Sequence, residues 1–530
     1  MRRASAGSAV TYRDVMDEGT NPPPTATVAP PPDPERAGAP GPLLAGVAVV
    51  VVALLVVVGA AWVLPVLTSP NASSAPSSGA PASVVAIGPS VAPSLGPSVA
   101  PSRRSAAPLP ASTTVPGGPF ASAGSMAVVG IDGSLTLVDA AGHSVGLAPA
   151  SDASLTFPAW SPDGTRIAAI RAGVDHSILV FDARAAASGR PVQPIVIFRS
   201  SVDGPFYLSW TPDGRSVSFL AESPDGLSLR IAPADGTAPL DGTGPGAVIR
   251  SGNPLYFDWI ERDRLFAHVG TGPFAFLGEM GLDGTPAASV VMSPGEFRAV
   301  AVSRDGAYVS YVRAGTAGSG QVVVAKRDGS NERTMPVFGT AGVVFSPTGD
   351  TVASIGPTEP GPTAYVIPLG PLRVMDPASG KVRTLLDGSV VSFWWSPDGS
   401  TIAALRVQPV AGATPSAPAS PSLAPPAGPP SSASPMPSPT ETPTEVRLLF
   451  VDVASGEIGA QEVVRPGQLF IDQFLTYFDQ YALSHTIWAP DSSSILIPSV
   501  GEDGATRIAV LFRNGDPARA IEGLIGFWSP

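Results

Sequence analysis

The chain has no cysteine among its 530 residues. That absence removes disulfides, thiolate metal sites and cysteine nucleophiles together, so the core alone must hold the fold. Histidine is nearly as scarce. His143, His176, His268 and His485 lie far apart, and none belongs to an HExxH or other close-spaced ligand pattern. Neither a metal site nor a cofactor is expected. Charge is thin as well, at 14% of residues, and without a basic stripe nucleic acid is not an expected partner. The net charge of −12 arises in the C-terminal part, where residues 121–530 hold 25 basic and 38 acidic groups. At this density an acidic balance reads as solubility and not as a cation site.

Proline and glycine are plentiful instead, at 62 and 57 residues, beside 44% apolar residues. This is turn-dense globular sequence mixed with low-complexity tracts, and it does not describe a helical bundle.

Residues 43–64, LLAGVAVVVVALLVVVGAAWVL, contain no charge; as a helix they would span about 33 Å, enough to cross a bilayer. A transmembrane helix is expected over 42–67. A cleaved signal peptide is the competing reading, because GAA at 59–61 would suit a peptidase, but the apolar run and the segment before it are long for one. Arg2, Arg3, Arg13 and Arg36 precede the run, and the first basic residues after it are Arg103 and Arg104. The positive-inside bias therefore makes residues 1–41 a disordered cytoplasmic tail and places everything after the helix outside a single-pass cell-membrane protein. Residues 68–120 are mostly Pro, Ser and Ala, with GPSVAPS repeated at 88–94 and 96–102. Such sequence cannot bury enough apolar surface to fold, and proline stiffens it, so it reads as a disordered stalk.

FPAWSPDGTRIAAI at 157–170 recurs as SWTPDGRSVSFL at 209–220 and WWSPDGSTIAAL at 394–405, with looser versions at 301–312, 344–355 and 487–498. In WSPDG, Pro162 presets the first turn position, Asp163 tolerates the second, and Gly164 takes the left-handed conformation that reverses the chain. The turn joins two strands. A third strand often ends in an apolar residue and Asp (LTLVDAAG at 135–142, ILVFDARA at 178–185, LLFVDVASG at 448–456). A fourth closes the unit, as SVGLAP at 144–149, QPIVIF at 193–198 or KVRTLL at 381–386. A four-stranded sheet of this kind cannot cover both of its faces alone, so the units must stack.

The last apolar residue of each first strand gives eight anchors: Trp160, Trp210, Trp259, Val302, Phe345, Trp395, Trp488 and Trp528. They are spaced at 50, 49, 43, 43, 50, 93 and 40 residues. The outlier contains a tract with twelve prolines at 408–444, and without those 37 residues it falls to 56, one unit with a longer loop. The tract is therefore expected to be a disordered insertion in one domain spanning 121–530. The N-terminal part of that domain has three strands lacking a first, and LIGFWSP at the C-terminus is a first strand with nothing after it. Pairing them would close the array and remove its open edges.

The WSPDG-turn repeat resembles that of TolB-like β-propellers, among the WD-repeat-like bacterial propellers. The resemblance covers about 121–530 and implies an all-β fold of four-stranded antiparallel blades, eight by anchor count with seven as the alternative. Departures stand at Trp259, followed by IERDR, and at Val302 and Phe345 in place of Trp. It also implies a binding platform that recognises proteins, peptides or glycans across a central face, although some such propellers are appended to peptidases.

The sequence assigns no catalytic residue. No GxSxG nucleophile elbow occurs. ASGK at 378–381 is half of a phosphate loop at most, because Met375 stands where the earlier glycine is needed, so a hairpin turn is expected there. Asp163, Asp213 and Asp398 belong to turns of separate blades, which gives them a structural role. One stretch departs from the repeat: FIDQFLTYFDQYALSH at 470–485, with Phe470, Phe474, Tyr477, Phe478 and Tyr481. Exposed, Phe474, Tyr477, Phe478 and Tyr481 would suit a glycan or peptide platform; packed on the propeller face, they would cover core. The functional expectation is a non-catalytic binding or scaffolding platform for an envelope protein, peptide or glycan. A propeller hydrolase or lyase with a site at the channel mouth, and a structural spacer or adhesin, are the alternatives.

Overall fold

The computed structural model describes residues 124–139, 143–151, 153–239, 247–270, 275–287, 300–315, 318–349, 351–360, 368–410 and 444–530. The chain divides into two units, Met1–Val56 and Val57–Pro530, and every described residue belongs to the second. The expected tail, transmembrane helix and stalk, and residues 411–443 of the insertion, lie outside the described residues. Among the described residues no helix is long and apolar enough to cross a membrane.

The described residues form antiparallel sheets that follow one another along the chain. The first contains β1 (Met126–Val129), β2 (Leu135–Val138), β3 (Ser144–Ala148) and the C-terminal strand β29 (Ile525–Trp528), in the order β29-β1-β2-β3. Met126 pairs with Trp528 and Ala127 with Phe527, so the expected closure is made by the two ends of the domain. The second sheet is β4 (Ser154–Trp160), β5 (Arg166–Ala172), β6 (His176–Asp182) and β7 (Ile195–Ser200); the third is β8 (Gly204–Trp210), β9 (Ser216–Ser223), β10 (Gly226–Pro233) and β11 (Val248–Ser251). The fourth has three described strands, β12 (Leu255–Glu261), β13 (Arg264–Val269) and β14 (Phe276–Gly281). The fifth is β15 (Ala301–Val302), β16 (Tyr308–Ala314), β17 (Ser319–Lys326) and β18 (Arg333–Phe338).

The sixth sheet differs from the repeat as the sequence presents it. Seven strands run through it: β19 (Gly342–Phe345), β20 (Val352–Ile355), β21 (Gly370–Met375), β22 (Val382–Trp395), β23 (Thr401–Pro409), β24 (Thr444–Asp452) and β25 (Ile458–Val464). The 14-residue β22 is shared, its first half pairing with β21 and its second with β23. What reads as the fourth strand of one unit and the first of the next is thus continuous. The insertion is also shorter than expected, because Gln408 pairs with Glu445 and Pro409 with Thr444 inside the β23–β24 ladder. The seventh sheet holds β26 (Ser494–Val500), β27 (Thr506–Phe512) and β28 (Arg519–Glu522), with Trp488 bridging to Ile495 where a first strand begins.

The turn chemistry explains why WSPDG recurs. Gly164, Gly214 and Gly399 have φ of 66°, 68° and 68°, conformations that cost glycine little. The hydroxyl before each proline adds a lock the turn types alone do not predict. Ser161 Oγ donates to Asp163 at 2.6 Å and accepts the Arg166 N–H at 2.9 Å. Thr211 and Ser396 repeat this arrangement with Asp213 and Asp398.

The anchor tryptophans join neighbouring sheets. Trp160 Nε1 donates to the Phe527 carbonyl, Trp210 to Ala159, Trp395 to Val344 and Trp488 to Trp394, at 2.9–3.1 Å. Each acceptor immediately precedes an anchor in the neighbouring first strand. Between the fourth and fifth sheets Val302 has no indole to offer, and its backbone N–H donates to Asp258 Oδ2 at 2.7 Å instead.

Candidate functional site

The connection from β25 to Trp488 enters the centre of the ring of first strands. Phe470–Phe474 form a π-helical turn, Leu475–Tyr477 a 3₁₀ turn, and Phe478–Tyr481 one turn of α-helix. Their rings meet first strands from several sheets. Tyr481 stacks on Phe157 of β4 at 5.2 Å and stands edge-on to Tyr207 of β8 at 5.4 Å. Tyr477 lies against Tyr256 of β12, Phe478 against Phe393 and Trp394 of β22, and Phe474 against Phe527 of β29. Gly342, which opens β19, leaves room for this packing: a Cβ there would stand 2.5 Å from Phe478 Cζ. The segment is a plug.

Two first strands bulge where they meet it. Phe157 and Tyr207 have φ of 44° and 47°, and the β4–β5 and β8–β9 registers shift beside them. Such a conformation is uncommon for aromatic residues and persists only where surrounding contacts enforce it. Those contacts are partly polar. Tyr207 OH donates to the Gln480 carbonyl at 3.0 Å, and Gln480 Nε2 donates to Tyr207 OH at 2.7 Å and to the Phe257 carbonyl at 2.8 Å. The Phe257 N–H returns to Gln480 Oε1 at 3.3 Å. His485 lies within 3.3 Å of the Phe157 carbonyl through Nε2 and 2.7 Å of Ser484 Oγ through Nδ1.

Burial governs the titration of these groups. It raises the Tyr207 and Tyr481 hydroxyls far above the ordinary phenol range and lowers His485 to about 4. It pushes the Asp258 carboxyl up to about 7, against the opposing pull of the Val302 and Trp259 N–H donors. The imidazole is therefore neutral at pH 7, and its ring packs edge-on against Phe527 at 4.7 Å. Tyr207 and His485 thus bind the plug to the strands, whereas Asp258 links β12 to β15.

The plug corrects the expectation of an exposed aromatic platform. Phe474 and Phe478 are fully buried, Tyr481 is nearly so and Tyr477 is half-buried. Their faces are taken by first-strand rings, as in the core-covering alternative. Asp163, Asp213 and Asp398 are not brought together, since each accepts hydrogen bonds within its own turn. The Ser161 hydroxyl is the main influence holding Asp163 below its usual range. At Asp398 partial burial works upward, but bonds from Ser396, Ser400 and Arg513 outweigh it and bring the carboxyl to about 2. ASGK is a hairpin turn, with the Gly380 N–H bonded to the Asp376 carbonyl. Phe157, Tyr207, Gln480 and His485 were not singled out from sequence. Only Phe157 and Tyr207 carry a signal, standing three residues before Trp160 and Trp210.

No family model matches the chain, and no curated protein does. Solved structures that do match include TolB from Acinetobacter baumannii, 17% identical over 51% of this chain and 65% of that one, with a TM-score of 0.32. Another is the C-terminal WD40 domain of Sif2, 13% identical over 68% and 84% of the two chains, TM-score 0.37. A third is oligopeptidase B from Leishmania major, 10% identical over 71% of this chain, TM-score 0.43, with 49% of the peptidase covered. The chain's own strand order, with β29 closing onto β1, makes it a β-propeller.

Proposed function

We propose that the chain is a membrane-anchored, extracytoplasmic propeller of eight blades that serves as a non-catalytic binding or scaffolding platform for a protein, peptide or glycan of the cell envelope. The observation that carries this reading is the plug. A propeller hydrolase or lyase would gather its groups at a channel mouth, whereas here polar groups of segment 470–485 are bonded to first strands. Recognition then belongs to the loops on the side from which the plug enters. Exposed apolar tips stand there at Ile131, Val174 and Val202, which are 74%, 98% and 62% accessible. Val174 and Val202 flank the His176–Ser200 end of the β6–β7 ladder, and β23 and β24 reach the same side at Pro409 and Thr444. Loops on a rigid scaffold are where binding residues concentrate. The anchor and outward orientation rest on the apolar run 43–64 and the arginines before it.

The test is crosslinking of the full-length protein in cells, followed by capture through residues 121–530 and mass spectrometry. A reproducible envelope component, crosslinked beside the Val174 and Val202 tips and lost in the Val174→Arg, Val202→Arg double variant, supports the platform. Recovery of the protein alone removes the stable-protein-partner form of this reading.

A further inference from the structure

Among the described residues one buried cationic side chain has no acidic counterpart. Arg373, on β21, is 7% accessible. Strand alternation puts it on the same side as Met375, which packs with Met335, Val337, Val322 and Val324 in the seam between the fifth and sixth sheets. Its Nη1 donates to the Pro336 carbonyl of β18 at 3.0 Å. Nε and Nη2 are buried and have no hydrogen-bond partner among the described residues. The neighbour paired with it across the ladder, Ser354, turns its hydroxyl to Met335 Sδ at 3.6 Å.

Other arginines that cross seams are less buried, although Arg333 Nε is likewise without a hydrogen-bond partner among the described residues. Arg250, Arg333 and Arg383 each reach a carbonyl in the hairpin turn of the next unit, at Gly284, Ala378 and Ala454. A buried guanidinium keeps its charge, because arginine is not deprotonated in proteins, so losing water must be offset by a partner. The two nitrogens without one are informative: Nε and Nη2 form the side-on edge whose parallel N–H bonds fit two oxygens of one anion.

We propose that the seam between β18 and β21 binds a small oxyanion of the phosphate or carboxylate class on the Nε/Nη2 edge of Arg373. The donors are closed off from bulk water, which suits a free anion held between sheets better than a side chain of a docked protein. The anion would neutralise the seam and tie the fifth sheet to the sixth.

The test uses full-length protein and inorganic phosphate, titrated at constant pH and ionic strength while thermal unfolding is followed. Wild type should show a saturable rise in midpoint, about 3 °C when phosphate is on the order of a hundred times its dissociation constant. Arg373→Met should show no saturable rise. Arg373→Lys keeps the charge without the fork and should lose most of the rise; it also serves as the test if the methionine variant does not fold. A wild type without a saturable response, or variants that respond as wild type does, would overturn the proposal.

Discussion

Neighbouring first strands are tied by two chemistries. At four seams an indole N–H donates to a carbonyl, from Trp160, Trp210, Trp395 and Trp488. At the seam between the fourth and fifth sheets, Asp258 accepts the Val302 N–H. The indole bond is neutral and brings a large apolar ring with it. The carboxylate bond can be stronger when charged, but charging a buried acid costs desolvation. Trp259, beside Asp258, has a buried indole N–H without a hydrogen-bond partner among the described residues. The same position in the repeat therefore bears load through the ring and its bond in one region and through a titrating group in another.

The largest effect is expected where ring and bond are lost together. Trp488→Ala removes a 2%-accessible side chain that packs edge-on to Phe450 at 5.5 Å, and should destabilise the propeller by about 3–5 kcal/mol. Trp259→Ala should cost less, because no indole bond goes with it. Equal losses in chemical or thermal unfolding would mean that the bond contributes little. Gln480→Ala comes next. It leaves the Phe257 N–H and carbonyl and the Tyr207 hydroxyl without their amide partner, a cost of about 1–3 kcal/mol, with hydrogen exchange faster in the plug than in the outer strands.

The two kinds of buried group should also bend the pH profile in opposite directions. Asp258 has a folded value of about 7, against about 3.9 when unfolded. Its contribution is complete below the unfolded value and is lost as pH rises toward 7. His485 lies at about 4 when folded, against about 6.5 unfolded; its contribution is present above the unfolded value and is lost as pH falls toward 4. Each slope is at most roughly 1.4 kcal/mol per pH unit. Asp258→Asn should therefore make unfolding midpoints rise more steeply from pH 4 to 7, and His485→Asn less steeply. Parallel profiles for both variants and wild type would exclude these assignments. The smallest effect belongs to the turns: Asp163→Ala removes the acceptor of Ser161 and Thr165 and should lower stability by about 1 kcal/mol.

Much of the repeat was legible because its determinants are local. The WSPDG turn, from Ser161 to Arg166, is closed by groups within five residues, and its glycines meet a backbone requirement that few other residues satisfy. Closure was legible too, since three strands at one end and one at the other complete a single sheet. The plug was not. Its aromatic composition leaves an exposed platform open beside a buried wedge, and the groups that decide between them are remote: Tyr207 lies 273 residues from Gln480, and Phe257 lies 223 away. The continuity of β22 was hidden for another reason, because Asp387 and Gly388 look like a break between strands while the backbone passes through Gly388 at φ 91° without ending the sheet.

The sequence by itself determined the antiparallel β repeat and its turns, because short apolar runs and left-handed glycines act within a few residues, and the complementary strands at the two ends of the domain indicated the pairing that closes it. Only the tertiary structure decided that segment 470–485 fills the centre, that Asp258 stands in for an indole, and that Arg373 keeps an unmatched edge between two sheets. These outcomes depend on which distant groups meet after water has been excluded, and burial then sets both the strength of each bond and the charge each group carries.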